Sequence, residues 1–147
     1  MTYAELVESA LCFGWIDGQV RRIDDDFHMQ RFTPRRARST WSKVNRQKVA
    51  KLIEEGRMRP AGLAEVERAK ADGRWDAAYD SPSTATVPDD LAAALAAEPA
   101  AQQAFDGLDG RNRYAVLHRV ATAATPQTRA RRIAALVTML AEGRRPY

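Results

Sequence analysis

Residues 31–51 read RFTPRRARSTWSKVNRQKVAK and hold eight basic side chains but no acidic one. Within this segment, Pro34 ends an extended stretch because proline has no amide hydrogen to donate to a strand ladder. Either Ser39 or Ser42 can cap the helix that follows. We therefore expect these residues, called the basic corner below, to join a strand to a helix and to display positive charge.

The residues before the basic corner predict a helix and a β-hairpin. Thr2 and Glu5 have the spacing of a capping box, in which a hydroxyl and a carboxylate bind each other's backbone amides. Gly14 is expected to end that helix. Residues 15–23 and 27–33 read as two strands, and the three aspartates between them suit an exposed turn.

The register of this hairpin decides which side chains share a face, since a slip of one residue moves half of them to the other side. If Ile23 pairs with Phe27, Asp17 lies opposite Thr33 and diagonal to Arg31. The face expected from this register carries Trp15, Asp17, Gln19, Arg21, Met29 and Arg31.

The helix after the basic corner is expected to turn an apolar face inward and to end at Gly56. That face carries Trp41, Val49, Leu52 and Ile53. Asn45 lies on the same face, where its amide needs partners. It either ties the helix to a loop carbonyl or contacts a ligand.

Composition changes after this first part of the chain. The stretch DSPSTATVP at residues 80–88 is polar and bounded by proline, which is typical of a linker, and the alanine-rich sequence after it favours helices. We expect an α+β domain at residues 1–80, with a small antiparallel hairpin packed against helices. A linker at residues 81–88 then leads to an all-helical unit at residues 89–147.

The charge is concentrated in the first part of the chain. Residues 1–59 hold 12 basic and 8 acidic side chains, which accounts for the whole net charge of +4. Such an excess indicates a surface that meets phosphate or carboxylate groups. The alternative interpretation is a solvated helix face that only keeps the protein soluble.

Other features of the sequence exclude several classes of protein. No apolar run approaches the roughly 20 residues of a membrane span, and Glu5 and Glu8 stand where a signal peptide carries basic residues. We therefore expect a cytoplasmic protein. The single Cys12 and two distant histidines do not have the spacing of metal ligands, so neither a metal nor a cofactor is predicted.

Several segments of the chain resemble the YdeI/OmpD-associated bacterial proteins, often called bacteriocin-protection proteins. They are ALCFGWIDG (10–18), RFTPRRARSTWSKVN (31–45), GRMRPAGL (56–63), GRWDAAYD (73–80) and the helical sequence from residue 87 onward. The resemblance implies an N-terminal α+β part related to YjbR/CyaY-like folds and a helical C-terminal domain. It also implies a proposed role in withstanding cationic antimicrobial peptides, linked to envelope stress, with no established reaction.

Relatives in this family usually carry several dozen residues before the segment that matches residues 2–5, and those residues supply further strands. Without them the hairpin lacks strand partners, and a two-stranded hairpin is marginal alone. We expect a homodimer in which a second subunit completes the sheet. A start codon assigned too late is the other explanation.

The residues predicted to bind a ligand surround the basic corner. They are Trp15, Asp17, Arg31, Arg35, Ser39, Trp41 and Asn45. Asp17 can hold one arginine by a charge-assisted pair while another guanidinium grips an anion, with the two indoles as walls. Alternatively, the pair between Asp17 and Arg31 only pins the hairpin to the helix.

Three classes of function remain. The first is a non-enzymatic module that binds an anionic small molecule or peptide carboxylate. The second is an interaction protein that docks an acidic protein partner or an anionic surface. The third, and the least favoured, is a hydrolase or transferase with Asp17 as base, because no nucleophile and base have the required spacing. Nucleic acid is disfavoured because the aromatic residues are not interleaved as in a stacking platform.

Overall fold

A computed structural model describes all 147 residues. The chain divides into two compact units, Met1–Ala78 and Tyr79–Tyr147. The first contains a two-stranded antiparallel sheet and three helices, and the second contains four helices, so the predicted α+β class with a helical C-terminal region is confirmed. None of the seven helices combines the length and the hydrophobicity that a membrane span requires.

The elements follow in chain order. They are α1 (Tyr3–Cys12), β1 (Trp15–Arg22), β2 (His28–Pro34), α2 (Lys43–Glu54), α3 (Pro60–Ala71), α4 (Asp89–Ala96), α5 (Pro99–Asp106), α6 (Gly110–Ala121) and α7 (Pro126–Ala141).

The predicted beginning and end of α1 are confirmed. Thr2 Oγ1 accepts from the backbone amide of Glu5, and the Glu5 carboxylate accepts from the amide of Thr2 at 2.6 Å. Gly14 follows the helix with φ +76°, a conformation that favours glycine. A β-carbon at this position would lie 2.7 Å from Cγ of Glu65, so the site excludes larger residues by space as well.

The tip of the hairpin has the predicted register. The amide of Ile23 donates to the carbonyl of Phe27 at 3.0 Å, and Val20 pairs with Gln30 as expected. Closer to the base, the register shifts by one residue. A β-bulge places two residues, Gly18 and Gln19, opposite the single residue of β2 that precedes Phe32.

The bulge makes the predicted register wrong at the base of the hairpin. Asp17 pairs with Phe32 and not with Thr33. Because successive residues of a strand point to opposite faces, Arg31 lies on the face away from Phe32 and Asp17. The expected face shared by Asp17 and Arg31 therefore does not form. The side-chain amide of Gln30 donates to the carbonyl of Gly18 at 3.0 Å, beside the bulge.

The first unit has one apolar core, built by α1, α2 and α3 together with the residues around them. Its buried members are Val7, Leu11, Cys12, Trp41, Val49, Leu52, Val66, Ala69 and Ala78. Three of the four apolar residues predicted for the inward face of α2 are buried, but Ile53 is exposed. Phe32 packs against this core from the sheet, which fixes the base of the hairpin.

Helix α3 approaches the end of α1 closely. The amide of Arg59 donates to the carbonyl of Cys12 at 3.0 Å. A β-carbon on Gly62 would lie 2.2 Å from the same carbonyl oxygen, so only glycine permits this approach.

The second unit has its own core. Its buried members are Leu91, Leu95, Ala101, Phe105, Val116, Leu117, Val120, Ile133, Leu136 and Leu140. Ala85 and Val87 pack against it from the segment that precedes α4. Arg129 on α7 forms a bidentate ion pair with Asp90 on α4, at 2.6 and 2.9 Å, and this pair holds the pKa of Asp90 below its usual range.

Candidate functional site

The basic corner is organised by the side chain of Arg35, which is buried with 6% of its surface exposed. Its guanidinium carbon lies 3.6 Å from the ring centroid of Trp41. One guanidinium nitrogen donates to the carbonyl of Thr40 at 3.1 Å, and the backbone amide donates to the carbonyl of Gly14 at 3.0 Å. The corner is therefore fixed to the end of α1 on one side and to the start of α2 on the other.

This geometry differs from the site predicted from the sequence. Trp41 is only 1% exposed, so it cannot form a wall of an open recess. Arg35 stacks on that indole in the interior and does not face outward. Charged residues are seldom buried, which is why the sequence pattern placed Arg35 at the surface.

The end of the first unit holds the corner from a second direction. Trp75 packs edge-on against Trp41, with ring centroids 5.0 Å apart. Arg74 donates to the carbonyl of Ser39 at 2.9 Å and forms an ion pair with Asp72 at 2.7 Å. The hydroxyl of Ser39 accepts from the amide of the residue three positions before it, so this side chain stabilises a turn.

Asp17 has a structural partner that the sequence analysis did not identify. Its carboxylate accepts a hydrogen bond from the hydroxyl of Tyr3 at 2.6 Å. This bond, together with burial and the negative charge of Asp17, raises the pKa of Tyr3 to about 12. Asp17 therefore ties β1 to α1. The predicted pair between Asp17 and Arg31 is wrong, because the bulge places Arg31 on the opposite face of the hairpin.

Five of the seven predicted residues keep some surface exposure, and two of these are the half-buried Asp17 and Ser39, whose contacts are given above. Trp15 and Arg31 are exposed, and Asn45 is half-buried. The Asn45 backbone amide donates to the hydroxyl of Ser42, which caps α2, while its side chain makes no hydrogen bond within the protein.

The accessible positive charge lies in the loop between β2 and α2 and on its flanks. Arg31, Arg36 and Arg38 are exposed and form no ion pair with a carboxylate. On α2, Arg46 lies over the ring of Trp75, with 5.2 Å between the guanidinium carbon and the centroid. The corner thus presents exposed guanidinium groups on a backbone that Arg35 holds in place. An exposed arginine without a carboxylate partner can bind a carboxylate with two parallel hydrogen bonds.

The second unit contains an aromatic recess of about 500 Å³, lined among others by Tyr79, Tyr114, His118 and Arg111. The ring of His118 contacts that of Tyr79, with centroids 4.7 Å apart. Burial and the charge of Arg132 lower the pKa of His118 from its ordinary 6.5, so the imidazole is neutral at pH 7. A neutral imidazole beside tyrosine rings can hold a planar group and also accept a proton from it.

The bond between Tyr3 and Asp17 predicts a pH dependence of stability. The folded state raises the pKa of Tyr3 from 10.0 to about 12, so the stability contributed by this hydroxyl is complete below pH 10 and is lost as the pH rises through 12. The difference in unfolding free energy between the wild type and Tyr3→Phe should shrink over this window. Chemical denaturation at a series of pH values measures it. Asp17→Asn should return the Tyr3 titration, followed by NMR, towards 10.0, and a difference that stays constant up to pH 12 would contradict the assignment.

Comparisons with known proteins agree with the division into two units. Residues 84–143 match the family model described as Bacteriocin-protection, YdeI or OmpD-Associated. Residues 1–65 match a different model, described as Domain of unknown function (DUF8412). No curated protein and no solved structure matches the chain. The resemblance found in the sequence is thus confirmed for the C-terminal part, because residues 84–143 match the model of the YdeI/OmpD-associated family, whose description names no reaction. The first three N-terminal segments that carried the same resemblance fall instead within the match to the other model.

Proposed function

We propose that the N-terminal unit is a non-enzymatic docking module for an acidic partner protein. The observation that carries this proposal is the exposure of Arg31, Arg36 and Arg38 without carboxylate partners. Their segment is held in place by the stack of Arg35 on Trp41. Because the backbone of the segment is already held, the conformational entropy lost on binding is mainly that of the arginine side chains themselves.

The shape of the corner favours a macromolecular partner over a small anion. A small-molecule site is normally concave and encloses most of its ligand. Only one of the two indoles that were expected to form such walls is accessible, because Trp41 lies in the core while Trp15 is exposed. Arginines exposed along a loop are better suited to the acidic surface of another protein, where complementary charge accelerates association and fixes orientation.

Two other anionic partners fit the corner less well. Nucleic-acid surfaces that bind single strands offer successive exposed aromatic rings for stacking, whereas Trp41 is buried and Trp75 is half-buried, which leaves Trp15 as the one exposed indole. The tip of the hairpin carries the exposed residues Asp24, Asp25 and Asp26, so a long row of phosphates or an anionic lipid surface that extended from the corner to this tip would meet negative charge there.

The proposal also bears on the description of the C-terminal family. A positively charged corner repels cationic peptides, so direct capture of a bacteriocin-like peptide by this surface is disfavoured. Any contribution to resistance or to envelope stress would then be indirect, through the acidic partner. Enzymatic activity is not part of the proposal, since the carboxylate of Asp17 is engaged by Tyr3.

A second proposal concerns the assembly of the protein, and the hairpin supports it. Ile23, Phe27 and Met29 lie on one face of the hairpin tip, and each is more than half exposed. The sheet has only two strands, so each strand has an unpaired edge. We propose that two copies of the chain pair through their hairpins and cover these apolar side chains.

The docking proposal is tested by two variants of equal charge change. Arg36→Gln combined with Arg38→Gln removes two charges from the corner, and Arg131→Gln combined with Arg145→Gln removes two exposed charges from the second unit. Binding of labelled poly-L-glutamate should weaken about tenfold in the first variant, because each lost pair contributes up to about 1 kcal/mol. The second variant should lose less than about twofold. Fluorescence anisotropy at fixed salt measures both affinities.

Two results would contradict the docking proposal. Equal weakening in both variants would show that only the net charge matters. Tighter binding of duplex DNA than of poly-L-glutamate at the same salt would assign the corner to nucleic acid.

The assembly proposal predicts that light scattering at micromolar concentration gives twice the mass of the 16.4 kDa chain. Ile23→Lys combined with Met29→Lys should give the monomer mass, because charged residues on this face of the hairpin prevent its burial against a second copy. A monomer mass for the wild type at that concentration would rule out the pairing, as would an unchanged dimer in the double variant.

A further inference from the structure

The second unit has a groove that lies apart from the aromatic recess and is formed by α6, α7 and the residues after α7. Its volume is about 530 Å³, and its lining includes Arg119, Thr122, Arg132, Leu136, Met139 and Arg144. That volume lies within the range of small-molecule sites, about 300–1,000 Å³. No carboxylate is among the residues that line it.

Two arginines of the groove carry charge that no acidic side chain neutralises. Arg119 is exposed and has no ion pair. Arg132 is half-buried and donates to the carbonyl of Arg119 at 2.7 Å and to the hydroxyl of Thr122 at 3.3 Å, both of which are uncharged acceptors. Both contacts use the same guanidinium nitrogen of Arg132, and they fix the orientation of its side chain. The third arginine of the groove, Arg144, is paired with Glu142.

The remaining lining is apolar. Leu136 belongs to the core and Met139 is half-buried against it, so both present aliphatic surface to the groove. Ala135 is exposed and adds a small side chain, which leaves space above the helix. Methionine adapts its shape readily to alkyl chains.

We infer that this groove binds a single-chain anionic amphiphile, namely an alkyl chain with a terminal carboxylate. The carboxylate lies between Arg119 and Arg132, where charge-assisted hydrogen bonds are available. The chain lies over Leu136 and Met139, where its burial is favourable in proportion to the apolar area covered. An anion without a chain would leave the apolar surface uncovered, and a chain without a charge would leave both guanidinium groups unpaired.

Three probes separate these contributions in the full-length chain. Decanoate is titrated by calorimetry below its micelle-forming concentration, and decanol and acetate are titrated under the same conditions. Decanoate should bind at least about tenfold more tightly than either, since decanol lacks the charge and acetate lacks the chain. Comparable binding of decanol or of acetate would overturn the inference.

Variants locate the site. Arg119→Gln should weaken decanoate binding about tenfold, as expected for the loss of one charge-assisted pair. Arg131→Gln, an exposed arginine of α7 that is not among the lining residues, is the matched control and should change it less than about twofold. Ala135→Glu introduces a carboxylate at an exposed helix position and should abolish binding without unfolding the protein.

The outcome is independent of the docking proposal, because the groove and the corner lie in different units. Unchanged binding in Arg119→Gln or in Ala135→Glu would place decanoate elsewhere and overturn the inference. Binding to anionic phospholipid vesicles without binding to free decanoate would overturn it as well, because the ligand would then be a membrane surface.

Discussion

The contact between the guanidinium of Arg35 and the indole of Trp41 is the interaction on which the first unit depends. A buried guanidinium is unfavourable unless polar groups and an aromatic face compensate for its lost hydration. Here the carbonyl of Thr40, which accepts from one guanidinium nitrogen, and the ring of Trp41 provide part of this compensation. Since the backbone of Arg35 also binds the carbonyl of Gly14, one residue connects the end of α1, the end of β2 and the start of α2.

The accessible positive charge follows from how the acidic residues of this unit are used. Asp17 binds Tyr3, and Glu8 and Glu55 both bind Arg57 at 3.1 Å. Asp72 pairs with Arg74 at 2.7 Å. None of these carboxylates pairs with Arg31, Arg36 or Arg38, so the exposed arginines of the corner have no carboxylate partner although the whole chain has a net charge of only +4. Position in the fold, rather than composition, therefore creates the docking surface proposed above.

Local signals predicted the parts of the fold that depend on neighbouring residues. The capping box at Thr2, the glycine end of α1 at Gly14 and the tip of the hairpin are each determined within a few residues, and the structure shows all three. The bulge at Gly18 and Gln19 has a weaker signal, since an isolated glycine inside a strand often marks a bulge but does not say how far the register shifts. It occurs where Phe32 must reach a core that α1, α2 and α3 build, which no local pattern describes.

The site residues were harder to predict for the same reason. Arg35 has the sequence environment of an exposed arginine, and only the tertiary position of Trp41 makes its burial favourable. The partner of Asp17 is 14 positions away in α1, while the expected partner, Arg31, is placed on the other face by the bulge. Likewise, Arg119 and Arg132 come together because α6 packs on α7, and neither helix alone indicates a groove.

The most direct measurement of the central claim compares Arg35→Lys with Arg36→Lys by chemical denaturation. All three tryptophans lie in the first unit, so their fluorescence follows the unfolding of this unit. Lysine keeps the charge but cannot stack as a planar group. We predict that Arg35→Lys lowers the unfolding free energy by about 2 kcal/mol and that Arg36→Lys changes it by less than about 0.5 kcal/mol. Equal and small effects of the two substitutions would contradict the claim that Arg35 holds the corner together.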